Sequence, residues 1–304
     1  MVSRRQLAAR GLAFADWLFA KIVVALVRLI RLLPAHAAVA FGGFAARTIG
    51  PLLPVDKTGR ENLAAAYPDI PAKERRQILN GVWDNLGRTS AEFLFLDRIF
   101  DFDFHDPTAG HFEVNGIDQF IEIRDSDTPC IVFTAHLANW ELLPVCAATF
   151  GLDVSVLFRP LNNERLAREL DQVRGSVMGG LVPSRPGAVA QLDGILARGG
   201  HVGVLVDQRF GRGLTLPFFG RPAKTNPLIA KLARRHDCKV YAARTVRKPE
   251  GRFYMELKGP IELPREGDGS VDVDATMIMV NEIIESWVRE HPEQWLWLHR
   301  RWRI

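Results

Sequence analysis

The sequence predicts an α/β fold: a mostly parallel or mixed central sheet flanked by helices, preceded by a membrane-associated N-terminal helix. Three observations carry this. The first 34 residues form an apolar, helix-favouring stretch with spaced basic residues. Helical periodicity then runs to about residue 93. From about residue 112, short apolar β-rich runs alternate with helical segments, as strands alternate with covering helices. The 304 residues are 47% hydrophobic and 24% charged, an ordinary globular composition. That length suits one large domain with an appendage, divided here into a membrane-anchoring segment, 1–48, and a main domain, 49–304.

The N-terminal stretch "MVSRRQLAARGLAFADWLFAKIVVALVRLIRLLP" is neither a signal peptide nor a clean membrane span. No small-residue cleavage site follows, and Lys21, Arg28 and Arg31 interrupt the apolar run before it reaches the roughly 18 residues a span needs. At about 100° per residue, Arg10, Lys21 and Arg28 fall on nearly one line with Arg31 close by. Leu18, Phe19, Ile22, Val23, Leu26, Leu29, Ile30 and Leu33 cover the remaining surface. With Arg4 and Arg5 at the terminus, this is the design of a helix lying on an anionic membrane. The competing reading is a helix docked on the protein's own core.

The stretch "RENLAAAYPDIPAKERRQILNGVWDNLGRTSAEF" reads as helical. Ile78, Val82, Leu86 and Phe93 recur at spacings of four and seven, and Pro71 lies near a helix start. Strand-like "CIVFTA", "VSVLF", "HVGVLV", "KVYAARTV" and "FYMELKG" then alternate with helical "WELLPVCAATFG", "NERLARELDQVRGSVMGG", "AVAQLDGILARGG" and "NPLIAKLARRHD". Asn226 is a cap for the last of these, with Pro227 at its first position. A final helix spans about 275–289.

Ligands of open α/β sheets bind beyond the carboxyl ends of the strands. There "CIVFTA" runs into His136, "VSVLF" into Arg159, and "HVGVLV" into Asp207, Gln208 and Arg209. A base, a cation and an acid then face one crevice. In "HLANWE" the strand ends at His136, a turn follows, and a helix starts near Asn139 as its cap. Glu141 falls in the first helical turn, where the helix dipole favours a carboxylate. Placed so, Glu141 orients His136, and His136 serves as general base.

No local nucleophile accompanies that base: there is no G-x-S-x-G elbow, and Cys130, Cys146 and Cys238 carry no nucleophile, disulfide or metal spacing. They read as buried, reduced thiols. The simplest arrangement has the nucleophile arrive as a substrate hydroxyl that attacks an activated acyl group. No metal or cofactor is expected, because Walker, Rossmann and metal-ligand motifs are missing. The net charge of +4 and pI of about 9.1 do not argue for nucleic acid.

"HLANWE" resembles the H-x-x-x-x-[DE] motif of glycerolipid-type acyltransferases. With "ENLAAAYPD", "LFRP", "VDQRFGRGLTLPFFGRPAKT" and "EQWLWLHRRWR" in order, nearly the whole chain resembles the bacterial lipid A biosynthesis acyltransferases. The motif alone is weak; the series is specific. One departure is Leu-Ala between His136 and Asn139, where glycine or phenylalanine is expected. The resemblance implies transfer of a fatty acyl chain from acyl carrier protein to a hydroxyl of a lipid A precursor of the Kdo-lipid IVA type. The setting is the cytoplasmic side of the bacterial inner membrane, with membrane lipids and a glycolipid acceptor as partners. It makes His136 and Glu141 the catalytic pair. Arg159 is assigned to substrate phosphate or developing negative charge, and Asp207 to orienting Arg159 or a loop. Gln208, Asn139 and Arg209 complete the substrate-binding set.

Other acceptors stay open: a mycobacterial branch acylates phosphatidylinositol mannosides with the same motif, and other lysophospholipids fit it too. A thioester hydrolase would use the same dyad, and a lipid-binding scaffold would need His136 and Glu141 only for each other. Arg209, Arg212 and Arg221, in a loop after a strand, read as functional; Lys231, Arg234 and Arg235 read as a solvated helix face. Arg300, Arg301 and Arg303, interleaved with Trp297 and Trp302, suit either a membrane interface or a packed tail.

Overall fold

Proline sets the first breaks in the helical half. Helix α1 (Arg4–Ile30) is separated from α2 (Ala35–Ile49) by a turn ending at Pro34, and α3 (Asp56–Ala66) from α4 (Ala72–Phe93) by a segment holding Pro68 and Pro71. The helical stretch expected across 60–93 is therefore two helices. The structure is a computed structural model describing residues 4–106, 109–161 and 163–302. The side chains of 4–15, 164–166, 169 and 170 are not among those described. Arg4, Arg5 and Arg10 of the expected basic stripe, and Arg303 of the tail, accordingly lie outside the described side chains.

Helix α2 lies against α4 through glycine. A Cβ on Gly87 would sit 2.2 Å from the Gly42 carbonyl oxygen, so the two backbones touch. The outward side of this helical half is apolar. Leu18, Phe19, Ile22, Leu26, Leu29 and Leu33 of the N-terminal segment are exposed, as expected, with Val23 and Ile30 half-buried. Phe41, Phe44, Ile49 and Leu52 continue that surface. Arg31 departs from the basic stripe: it pairs with Asp97 at 2.6 Å and donates to the Leu94 carbonyl at 2.8 Å. Among the described residues no single helix is long and apolar enough to cross a membrane. One bent pair, 35–52 with 56–66, passes by length and composition only, with an 87° bend.

A short α5 (Leu96–Ile99) leads to the α/β half: β1 (Phe112–Asn115), α6 (Ile117–Arg124), β2 (Cys130–Thr134), α7 (Leu142–Thr149), β3 (Val154–Phe158), α8 (Glu164–Val177), β4 (Leu181–Pro183), α9 (Ala188–Ala197), β5 (His201–Leu205), β6 (Leu214–Phe218), β7 (Arg221–Thr225), α10 (Leu228–His236), β8 (Lys239–Arg247), β9 (Phe253–Lys258) and α11 (Val273–Glu290). Seven strands form one sheet in the order β1-β9-β8-β2-β5-β3-β4, parallel except where β8 meets β9. This is the expected mixed, mostly parallel sheet. The central strands carry apolar side chains on both faces, as sheets covered on both sides do. Strands β6 and β7 form a separate hairpin within "LTLPFFGRPAKT", turning at Phe219 and Gly220, both at positive φ.

The C-terminal segment is core. Trp295, Trp297, Arg301 and Trp302 are buried, and Arg301 donates to the Lys224 carbonyl and to Thr225 Oγ1, each at 2.9 Å. Its guanidinium lies over the Phe218 ring, and burial pulls its pKa down to about 10. Of the two readings of this tail, the packed one holds for every described residue except exposed Arg300.

Candidate active site

Parallel register brings the first two site residues together. Thr134 of β2 pairs with Leu205 of β5, and two residues further along each chain stand His136 and Asp207. The His136 ring meets Asp207 through Nδ1 and Oδ1 at 2.8 Å, and the His136 backbone N–H donates to Asp207 Oδ2 at 2.9 Å. Trp295 Nε1 donates to that second oxygen at 2.7 Å. Asp207 is buried, and burial alone would raise its carboxyl. The opposing charge and hydrogen bonds of His136, together with Trp295, outweigh that and hold it at about 2. A carboxylate accepts only, so Nδ1 is the donor, and in the neutral ring Nε2 is left with the lone pair. Gln208 Nε2 lies 3.2 Å from His136 Nε2, as an amide donating to that lone pair would.

The structure gives Glu141 a hydrogen-bond partner other than His136. Its carboxylate is gripped by Arg174 of α8, with Nε at 3.0 Å and Nη2 at 2.5 Å, and makes no hydrogen bond to His136 among the described residues. The Arg174 guanidinium lies over Phe93 at 4.9 Å and Phe158 at 5.4 Å. Asn139 is not the residue before the helix either. Helix α7 starts at Leu142, and Asn139 Oδ1 accepts the Glu141 N–H at 3.2 Å, so Glu141 precedes the first helical turn. The turn is tighter than a simple cap allows. Ala138 has φ +48°, a left-handed conformation costly for any residue but glycine. It lies within the Leu-Ala pair where glycine or phenylalanine is expected.

Arg159 follows β3 at the same sheet edge, yet it is exposed and pairs with neither Asp207 nor any other described carboxylate. Asp207 serves His136 rather than Arg159 or a loop. Arg209 is half-buried, and its backbone N–H donates to His299 Nε2 at 3.0 Å. Burial keeps His299 below the usual histidine range, which suits an acceptor. Arg212 and Arg221 are exposed. Arg234 and Arg235 pair with Glu266 and Asp193, the solvated helix face expected of them. The three cysteines are buried, as expected, and burial pushes their thiols up: Cys130 and Cys146 to about 12, Cys238 to about 11.

Beside this turn one face of the sheet and the segments covering it line a partly open cavity of about 140 Å³. Val132, Val154 and Val156 from the strands face Phe120, Leu143 and Met178 from the helices across it. The sheet-side residues are spaced by two along each strand, so they share one face. Trp140, whose ring centroid lies 4.8 Å from that of His136, belongs to the cavity wall, as do Glu141 and Arg174. The sequence reading missed Arg174, Trp295 and His299. Arg174 carries no local motif, and Trp295 and His299, though within "EQWLWLHRRWR", carry nothing that places them beside residues so far upstream.

Fold and site define an α/β protein with a carboxylate-held imidazole near an apolar cavity, and with buried, unactivated thiols. Residues 8–304 match the family model described as bacterial lipid A biosynthesis acyltransferase. Over 259 residues the chain is 26% identical to the lipid A biosynthesis palmitoleoyltransferase of Escherichia coli (strain K12), covering 82% of this chain and 78% of that one. The lipid A biosynthesis acyltransferase of Shigella flexneri matches with the same figures. The lipid A biosynthesis lauroyltransferase of E. coli is 22% identical over 265 residues, covering 81% and 78%. The chain belongs to the bacterial lipid A biosynthesis acyltransferase family, and it is an acyltransferase of lipid A synthesis.

Proposed function

We propose that the protein moves a fatty acyl chain from an acyl carrier protein thioester to a hydroxyl of a Kdo-lipid IVA-type precursor, without an acyl-enzyme. The observation that carries this is the His136–Asp207 pair, whose imidazole packs against Trp140 of the apolar cavity's wall. Asp207 holds the ring so that Nε2 accepts the hydroxyl proton. The hydroxyl oxygen then attacks the thioester carbonyl, the C–O bond forms, the C–S bond breaks, and the proton passes to the departing thiol. Gln208 now occupies the position from which that hydroxyl would approach, and it yields or shares it on binding. The acyl chain lies in the cavity, with Trp140 and the Glu141–Arg174 pair at its rim. Arg159 and Arg209, at the same sheet edge, take acceptor phosphate or developing negative charge.

The apolar outer surface of residues 17–49, extended by Leu52, rests on the cytoplasmic face of the inner membrane, which supplies the acceptor lipid. An exposed apolar face bearing Lys21 and Arg28 supports that placement.

The test is mass spectrometry of the products formed by the detergent-solubilised protein. Acyl carrier proteins of mixed chain length would be offered with Kdo-lipid IVA and a phosphatidylinositol mannoside, beside a His136→Ala control. An added acyl mass on the lipid A precursor, lost in the control, is the expected result. Acylation of the mannoside would change the acceptor, and free fatty acid alone would replace transfer by hydrolysis.

A further inference from the structure

We propose that Glu92 and Arg247, a buried ion pair that touches neither His136 nor the cavity, are positioning residues for catalysis. The inference rests on the reading of His136 as general base. The turn from His136 to Glu141 must hold a left-handed Ala138, yet few of its polar groups are bonded within the turn itself. Side chains from elsewhere hold them. The Ala138 carbonyl accepts Thr89 Oγ1 at 3.0 Å and Asn85 Nδ2 at 3.3 Å. The Ala138 N–H donates to the Gln294 carbonyl at 3.0 Å. The Asn139 carbonyl accepts Thr245 Oγ1 at 2.9 Å.

The Asn139 side chain joins this frame to the ion pair. Its amide donates to Glu92 Oε2 at 2.9 Å, while its Oδ1 receives the Glu141 N–H. Glu92 is gripped by both terminal nitrogens of Arg247, one of them at 2.8 Å. Arg247 Nε donates to Asn85 Oδ1 at 3.0 Å, its Nη2 reaches Thr89 Oγ1 at 3.3 Å, and its guanidinium covers the Phe253 ring at 4.8 Å. Asn139 and Glu92 are buried.

Asn85, Thr89 and Glu92 lie four and seven residues apart, so one stripe of α4 faces the turn. A well-packed apolar pair is often as stable as a buried ion pair, so burial alone does not explain these charges. What the charges supply is direction. Glu92 aims the Asn139 amide, Asn139 fixes the start of α7, and the turn between β2 and α7 sets the angle at which His136 Nε2 meets the acceptor hydroxyl. Misplacement of a catalytic group by about 1 Å costs up to about 100-fold in rate.

The experiment compares Glu92→Gln, Arg247→Met, the Glu92→Gln/Arg247→Met double variant and His136→Ala, all in the full chain. Thermal melting and steady-state transfer to Kdo-lipid IVA are measured for each. Each single variant leaves one buried polar group without its partner and lowers the melting temperature. The double variant recovers most of that loss, while its kcat stays at least about 10-fold below wild type and KM moves less than about threefold. A double variant with both wild-type melting and wild-type kcat overturns the proposal. Should the double variant not fold, Thr89→Val and Thr89→Ser decide. Valine removes only the hydroxyl and is expected to lower kcat several-fold, and serine restores it; equal kcat for the two overturns the proposal. Undiminished activity of His136→Ala would remove the general-base reading instead, whatever the ion-pair variants show.

Discussion

Trp295 Nε1 and the His136 backbone N–H donate to the same oxygen of Asp207, at 2.7 and 2.9 Å. The C-terminal segment is thereby part of the frame around His136: the Leu296 N–H also donates to the His136 carbonyl at 3.1 Å, and Leu137 bridges to Trp295. Trp295→Phe keeps an aromatic ring but removes part of the buried indole together with one hydrogen bond to a buried carboxylate, the bond being worth about 1.5–3 kcal/mol. We expect a loss of about 10-fold or more in kcat with the circular dichroism spectrum unchanged. A variant with wild-type kcat would dissociate Trp295 from the site.

Asp207→Asn and His136→Ala should each lower kcat by about 10² to 10⁴. Because the two side chains act as one unit, the double variant should lose no more than the worse single. Multiplicative losses in single-turnover assays would show that they act separately.

Asp207 also makes a pH prediction. Its folded pKa of about 2 lies below its ordinary value of 3.8, so its contribution is fully present above about pH 4 and is lost as the pH falls through 2. The difference corresponds to about 2 kcal/mol. Acid denaturation of Asp207→Asn, followed by tryptophan fluorescence, should lack that part of the slope between pH 4 and 2. An unchanged slope would assign it to other carboxylates.

Ala138 has φ +48°, and glycine adopts that conformation without penalty. Ala138→Gly should stabilise the fold by about 0.5–1 kcal/mol after the entropy of the unfolded chain is counted. A lower melting temperature would mean that the Ala138 methyl packs better than its backbone is strained.

The thiols of Cys130, Cys146 and Cys238 stay protonated at neutral pH and are buried. Iodoacetamide at pH 8 should leave the native protein active and unalkylated by mass spectrometry, while denatured protein takes up three groups. Inactivation with one group bound would point to an acyl-cysteine intermediate.

Much of this site was legible because parallel strands deliver their functional residues at one edge, so reading what followed each apolar run found His136, Arg159 and Asp207. The pairing was not legible. Glu141 is five residues from His136 and Asp207 is seventy-one, so nearness in the chain pointed to Glu141, whereas the hydrogen bond runs to Asp207. That contact follows from β2 lying beside β5, and nothing in either strand's sequence specifies that neighbour. Arg174 stayed hidden for a different reason. It sits among other charged residues on an amphipathic helix, where one arginine facing inward leaves no local mark. The Trp- and Arg-rich C-terminus looked equally like an interfacial tail because burial of Arg301 depends on the Lys224 carbonyl and Thr225 hydroxyl, which the chain places far upstream.

The contact between Gly42 and Gly87 bears on how this enzyme can be shortened. Helix α4 faces α2 on one side and carries Thr89 and Glu92 toward the His136 turn on another. A chain starting at residue 49 would lose its greasy outer surface, but it would also uncover the seam on α4 where Gly87 lies. Trimming for solubility would then trade one sticky face for another, on the helix that braces the catalytic turn. Charged replacements at Phe41, Phe44 and Leu52 leave that seam closed and are the better route to a detergent-free enzyme.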